Sequence, residues 1–169
     1  MTTHYYGLIN RAQALETAIA VNDCIAPSSG KYGVAMILET CAAETLLGTH
    51  KDRTDYAAGT SIAQIDNGTF IWLRDKYGNH PVNERFKELF DIDISRVQYF
   101  ELEHNPLLGM IWCRLRYLPV KGSIPETLKG RADYWKKWYN STEGKGTPEG
   151  YMQKVEECAI ARLTKRLFM

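Results

Sequence analysis

The chain has 169 residues, enough for one domain with a substantial core and too few for a large barrel. Hydrophobic residues make up 44% and charged residues 24%, a balance that argues against an intrinsically disordered chain. With 21 Lys plus Arg against 20 Asp plus Glu, the net charge of +1 supplies no global field for nucleic acid or an anionic membrane, and neither is expected as a partner.

The elements read mainly as α-helices. Leu8, Ala12, Leu15 and Ile19 recur at helical spacing and predict a first helix over Gly7 to Asn22, ended by Pro27-Ser28-Ser29-Gly30. A second begins near Lys31 or Tyr32, carries Val34, Ile37, Leu38 and Cys41 on one face, and stops at Gly48. Thr49 to Thr69 is polar and rich in Gly, Asp and Thr, which predicts a long ordered loop with a small hairpin or isolated strand. Helices follow over Phe70 to Tyr77 and Asn83 to Phe90, then a longer one over Ser95 to Arg116 interrupted at Asn105-Pro106. A Pro/Gly connector, Pro119 to Pro125, leads to a helix over Glu126 to Tyr139 and a last one near Thr147 to Leu167.

Cys24, Cys41, Cys113 and Cys158 are widely separated, form no Cys-x-x-Cys, and are expected as buried free thiols. No metal-ligand pattern, P-loop, dinucleotide fingerprint or nucleophile elbow is present, so no metal or cofactor is expected. The N-terminal stretch lacks the pattern of a secretory signal, and no run approaches the ~18 apolar residues of a membrane span. Synthesis in the cytosol without stable membrane insertion is expected. The basic residues of the last third, from Arg114 to Arg166, read as a solvated helix surface.

The second helix carries the chemistry. At about 100° per residue, with Ile37 at zero, Cys41 falls near 40°, Val34 near 60° and Glu44 near −20°, while Glu39 lies almost opposite. Glu44 thus ends an apolar stripe just before a polar loop. A carboxyl there either pairs with a neighbouring base or, partly desolvated, has the raised pKa that a proton donor needs at neutral pH.

Glu44-Thr45-Leu46-Leu47-Gly48 followed by Thr60-Ser61-Ile62-Ala63-Gln64-Ile65-Asp66 resembles the signature of goose-type lysozymes and soluble lytic transglycosylases. Those families place a catalytic Glu at a helix end, then Ser or Thr, and about twenty residues on a Gly-Leu-Met-Gln-like segment lining the sugar cleft. Here Thr60 or Ser61 stands for the Gly and Ile62-Ala63 for Leu-Met. Asp55 and Asp66 fall near the acidic positions that goose-type enzymes use around the attacking water. Tyr139-Asn140, in the aromatic run Tyr134 to Asn140, is similar to a late Tyr-Asn pair of lytic transglycosylases that contacts the sugar.

The resemblance implies a single lysozyme-like catalytic domain over residues 1–169, mainly α, with a small loop or hairpin beside an active-site cleft. It implies Glu44 and Asp55 as catalytic groups and Thr60, Gln64, Asp66, Tyr139 and Asn140 as substrate-binding residues. The implied reaction cleaves the β-1,4 bond between N-acetylmuramic acid and N-acetylglucosamine in peptidoglycan strands, the expected partner of a monomeric enzyme. It proceeds by hydrolysis, with a second carboxylate about 6.5 to 9.5 Å away activating water, or by formation of a 1,6-anhydro sugar with Glu44 alone moving the proton. A signal-free enzyme of this kind resembles a bacteriophage endolysin or virion-associated lysin that reaches the cell wall after release. A lysozyme-fold chitinase and a non-enzymatic cell-wall-binding or virion module are the competing readings.

Overall fold

The run Gly30–Thr45 contains no interior proline, and its side chains are small or apolar almost all the way round, so it forms a helix that belongs in the middle of a protein. In the computed structural model, which describes residues 2–53, 58–141 and 144–169, twelve of its sixteen residues are buried. This helix, α2, is clasped by α1 (Arg11–Ile25), α5 (Pro106–Tyr117), α7 (Pro148–Glu157) and α8 (Ile160–Leu163). Around them stand α3 (Asn67–Tyr77), α4 (Pro81–Phe90) and α6 (Leu128–Trp135). The fold is mainly helical, with eight α-helices and no β-strand among the described residues. Met36, Ile37 and Leu38 are fully enclosed, and truncating one such side chain to Ala costs about 2–5 kcal/mol.

The helix boundaries depart from the periodicity where capping chemistry intervenes. The first helix starts at Arg11 rather than Gly7, because Asn10 caps it by accepting a hydrogen bond from the Gln13 amide at 2.8 Å, and it runs on to Ile25. The long helix expected over Ser95 to Arg116 is replaced by two 3-10 turns, Ile94–Arg96 and Tyr99–Leu102, ahead of α5. Asn105 caps α5 and Pro106 sits at its first position, where a missing N–H costs nothing. The last helix breaks at Ala159, whose φ of 50° ends one segment before α8 begins. After α6 the chain continues as a π-helical turn, Lys136–Asn140.

One contiguous hydrophobic core joins these elements. Trp112 stacks on Phe70 with ring centres 5.0 Å apart, and Tyr117 stacks between Tyr134 and Tyr139 at 5.5 and 5.3 Å. All four cysteines are free and buried. No helix among the described residues is long and apolar enough to cross a membrane.

The segment after α2 contains the small element expected there, as a single antiparallel bridge between Thr60 and Ile65 closed by two backbone hydrogen bonds of 2.9 and 2.8 Å. It lies tight on α5 because Gly109 has no side chain; a Cβ there would stand 2.8 Å from the Ser61 hydroxyl.

Candidate active site

Glu44 sits in the last turn of α2, and the chain behind it reverses sharply. Leu46, Leu47 and Gly48 have φ of 49°, 52° and 77°, and Ser61 and Gln64 are also left-handed at 73° and 52°. Four non-glycine residues in this conformation therefore flank one carboxyl. Each costs of order 1 kcal/mol and persists only where surrounding contacts impose it. Thr45 provides one: its hydroxyl donates to the Ile62 carbonyl at 2.7 Å and accepts from the Gly48 amide at 3.1 Å. The residue after Glu44 thereby pins the turn of the 60–65 bridge against the end of the helix.

The Glu44 side chain keeps partial contact with solvent but is otherwise enclosed by protein. Burial pushes its pKa from the ordinary carboxylate range up to about 7, opposed by a hydrogen bond from Trp135 and by the charge of Lys154 and assisted by the charge of Asp52. The Trp135 indole N–H donates to Oε1 at 3.1 Å. Lys154 is held alongside by donating to the Ala43 carbonyl at 2.9 Å. A pKa raised in this way keeps a protonated population near neutral pH, the condition a proton donor requires.

Tyr139 belongs to the same neighbourhood. Its hydroxyl donates to the Ala63 carbonyl at 2.5 Å, its ring lies on Tyr117, and desolvation together with nearby charges, Glu44 among them, holds its pKa well above the usual tyrosine value. Asn140 accepts a hydrogen bond from Lys136 at 2.8 Å through its side-chain oxygen. Gln64 is half-buried, donating to the Ser61 carbonyl at 2.9 Å and the Tyr6 hydroxyl at 3.3 Å, so its amide braces its own loop. Thr60 is fully buried and its hydroxyl is turned onto the Glu103 carboxylate. Asp66 is exposed and caps α3, accepting from the Thr69 amide at 2.8 Å and hydroxyl at 2.7 Å. Asp55 lies outside the described residues.

Four participants escaped sequence reading. Trp135 and Lys154 come from elements about ninety residues or more beyond Glu44, and Asp52 acts on Glu44 through its charge. Glu103 answers Thr60 from the turn before α5, and its charge also reaches Tyr6, whose hydroxyl accepts from the Asp52 amide at 2.8 Å. A Trp three residues before Trp138-Tyr139 was the one local signal, since a helical turn brings i and i+3 to one side.

Glu39, almost opposite Ile37 on the helical wheel, is buried as well. It is 3% exposed and held by Arg131 through two hydrogen bonds of 2.8 and 2.9 Å, with the Tyr151 hydroxyl donating at 2.9 Å. The reason is that α2 has no wet side: α6 and α7 cover the face opposite Ile37 with a complementary arginine and tyrosine.

A cavity of about 570 Å³ opens near the start of α2 and does not include Glu44. Glu44 is singled out by its raised pKa and its indole partner rather than by the volume of a hollow. No group of three His, Cys, Asp or Glu among the described residues could hold a metal ion. Comparison of the chain with protein-family models, with curated proteins and with solved structures gave no match.

Proposed function

We propose that the protein is a glycosidase that cuts the glycan strands of peptidoglycan, as a lytic transglycosylase or muramidase, with Glu44 protonating the leaving glycosidic oxygen. One observation carries the reading: a carboxyl at the solvent-touching end of the central helix, held at about 7 by burial and steadied by an indole N–H. An acid of this kind loses its proton readily to an oxygen whose basicity rises as the bond breaks. Tyr139 beside it supplies an aromatic ring of the kind that suits sugar faces, while Thr60, Gln64 and Asp66 shape the adjoining loop through contacts within the fold.

The resemblance of the Glu44 to Asp66 segment to goose-type lysozymes and lytic transglycosylases selects peptidoglycan over chitin and an enzyme over a wall-binding module. It also carries the proposal of a bacteriophage lysin. Glu44, Asp52 and Tyr139 form the reacting end of the site in this reading. Asp52 is the described carboxylate whose charge reaches Glu44, and Asp66, expected among the substrate-binding residues, caps α3.

The test is digestion of purified sacculi, with the released muropeptides weighed by mass spectrometry. Wild type releases disaccharide muropeptides and Glu44→Gln releases none at equal fold. Release by the variant above about a tenth of the wild-type rate would sink the assignment, since general acid catalysis contributes ~10² to 10⁴. Cleavage of chitin oligomers with no action on sacculi would transfer the activity to the competing substrate.

A further inference from the structure

Among the described residues two arginines are buried, and one of them has a charged partner. Arg131, 6% exposed, is answered by the Glu39 carboxylate. Arg114, 4% exposed, donates its Nε to the Asn22 side-chain oxygen at 3.0 Å and a terminal nitrogen to the Ser29 hydroxyl at 3.3 Å. Both acceptors are neutral, and among the described residues no carboxylate lies within ion-pair distance of Arg114. Withdrawing a guanidinium from water costs several kcal/mol, and a counter-anion is the usual compensation.

The guanidinium is held in place rather than merely trapped. Asn22 is itself fixed, donating to the Gly30 carbonyl at 3.1 Å and accepting from Ser29 at 2.9 Å. Room for this polar cluster exists because residue 33 is glycine; a Cβ there would lie 2.1 Å from the Asn22 oxygen and 2.2 Å from the Ser29 hydroxyl. Arg114 then forms part of the wall of the 570 Å³ cavity, beside Ser28, Ser29, Tyr32, Tyr134 and Ile124. A cavity of this size is ordinary for a small-molecule site, and its wall combines one fixed cation, hydroxyls and aromatic surface. Glu126 is the acidic group of the lining, and it is exposed.

We propose that this cavity binds a small organic carboxylate, whose anionic end meets the Arg114 guanidinium and whose body lies against Tyr32, Tyr134 and Ile124. The ligand supplies the counter-charge that the described residues do not. With Nε on Asn22 and one terminal N–H on Ser29, the N–H groups left on the two terminal nitrogens form the edge that matches a carboxylate, and Glu126 disfavours anions of higher charge. The same chemistry is offered by a free carboxylic acid and by the C-terminus of a short peptide.

The full chain is titrated with sodium benzoate and, separately, with acetyl-alanyl-alanine, at constant ionic strength set with NaCl. Melting temperature and the Arg114 Nε–H resonance are followed. At least one probe is expected to raise Tm saturably by a few degrees and to move the Nε–H signal with the same apparent Kd; which one does so identifies a free acid or a peptide end as the source. Arg114→Gln is expected to weaken that probe at least tenfold. Glu126→Gln, at an exposed position that folding tolerates, is expected to tighten it several-fold, a gain that a purely structural arginine would not produce. A shift that is linear in concentration and matched by NaCl alone overturns the proposal. So does a Kd unchanged in both variants, or equal binding of inorganic phosphate. Digestion of sacculi by the same preparations reports on Glu44 separately, so each reading stands or falls alone.

Discussion

Glu39 and Glu44 lie five residues apart on one helix, and both are carboxyls taken largely out of water. They differ in what answers the charge. Glu39 meets a guanidinium through two hydrogen bonds and a tyrosine hydroxyl, so burial, which raises its pKa, is opposed by a cation in contact. Glu44 meets one indole N–H and a lysine whose ammonium is bonded to a carbonyl, and its pKa reaches about 7. Burial alone therefore does not make an acid catalyst. Burial without a matched counter-ion, at a point that solvent still touches, gives the raised pKa that the proposed role needs.

The contrast yields its largest effect in activity. Glu44→Gln should lower the rate on sacculi by about 10²- to 10⁴-fold. Its stability should change in the opposite sense to an ordinary truncation. Because the folded pKa of Glu44 lies above its unfolded value, the protonated form stabilises the fold at low pH, and that contribution is lost as pH rises from about 4.5 through 7. Urea unfolding should then find the Gln variant equal to wild type at pH 4 and more stable by about 1–3 kcal/mol at pH 8. A variant less stable at pH 8 than wild type would contradict the raised pKa.

Glu39→Gln should do the reverse, leaving the rate per folded molecule intact while costing about 3–5 kcal/mol, because Arg131 would be left buried without its anion. Replacing both partners, Glu39→Leu with Arg131→Met, should recover most of that loss in chemical denaturation. Failure of the double variant to recover would mean that the pair does more than neutralise itself.

Wild-type activity should fall as pH rises through about 7, where Glu44 loses its proton, and a pH–rate profile on sacculi reads this limb directly. The smallest effects are displacements of that limb. Trp135→Phe removes a hydrogen bond that favours the ionised form and should move it to higher pH, whereas Asp52→Asn removes a nearby negative charge and should move it lower. Movement of both in the same direction would contradict the charge arrangement around Glu44.

The place of Glu44, half-buried at the end of the central helix, was legible in the residues because two local features converge on it: an apolar stripe at helical spacing and a polar loop directly behind. The roles of its companions were not. Asp66 stands one residue before α3 and three before Thr69, a spacing that marks a helix cap as readily as a sugar contact, and capping is what it does here. Gln64 and Thr60 carry side chains suited to a cleft, yet one braces its own turn and the other faces Glu103, because a loop with several left-handed residues must satisfy its own polar groups first.

Helical periodicity and composition alone determined that this is a mainly α chain with a long apolar helix second in order, because spacing along one segment is a local property that neighbours need not complete. Which carboxyl of that helix stays near neutrality was decided by the tertiary structure. Arg131 and Tyr151 converge on Glu39 from α6 and α7, and Trp135 and Lys154 converge on Glu44 from the same two helices. Those approaches span about ninety to one hundred and twelve residues, and the pKa of a buried group depends on which charges the fold brings within a few ångströms of it.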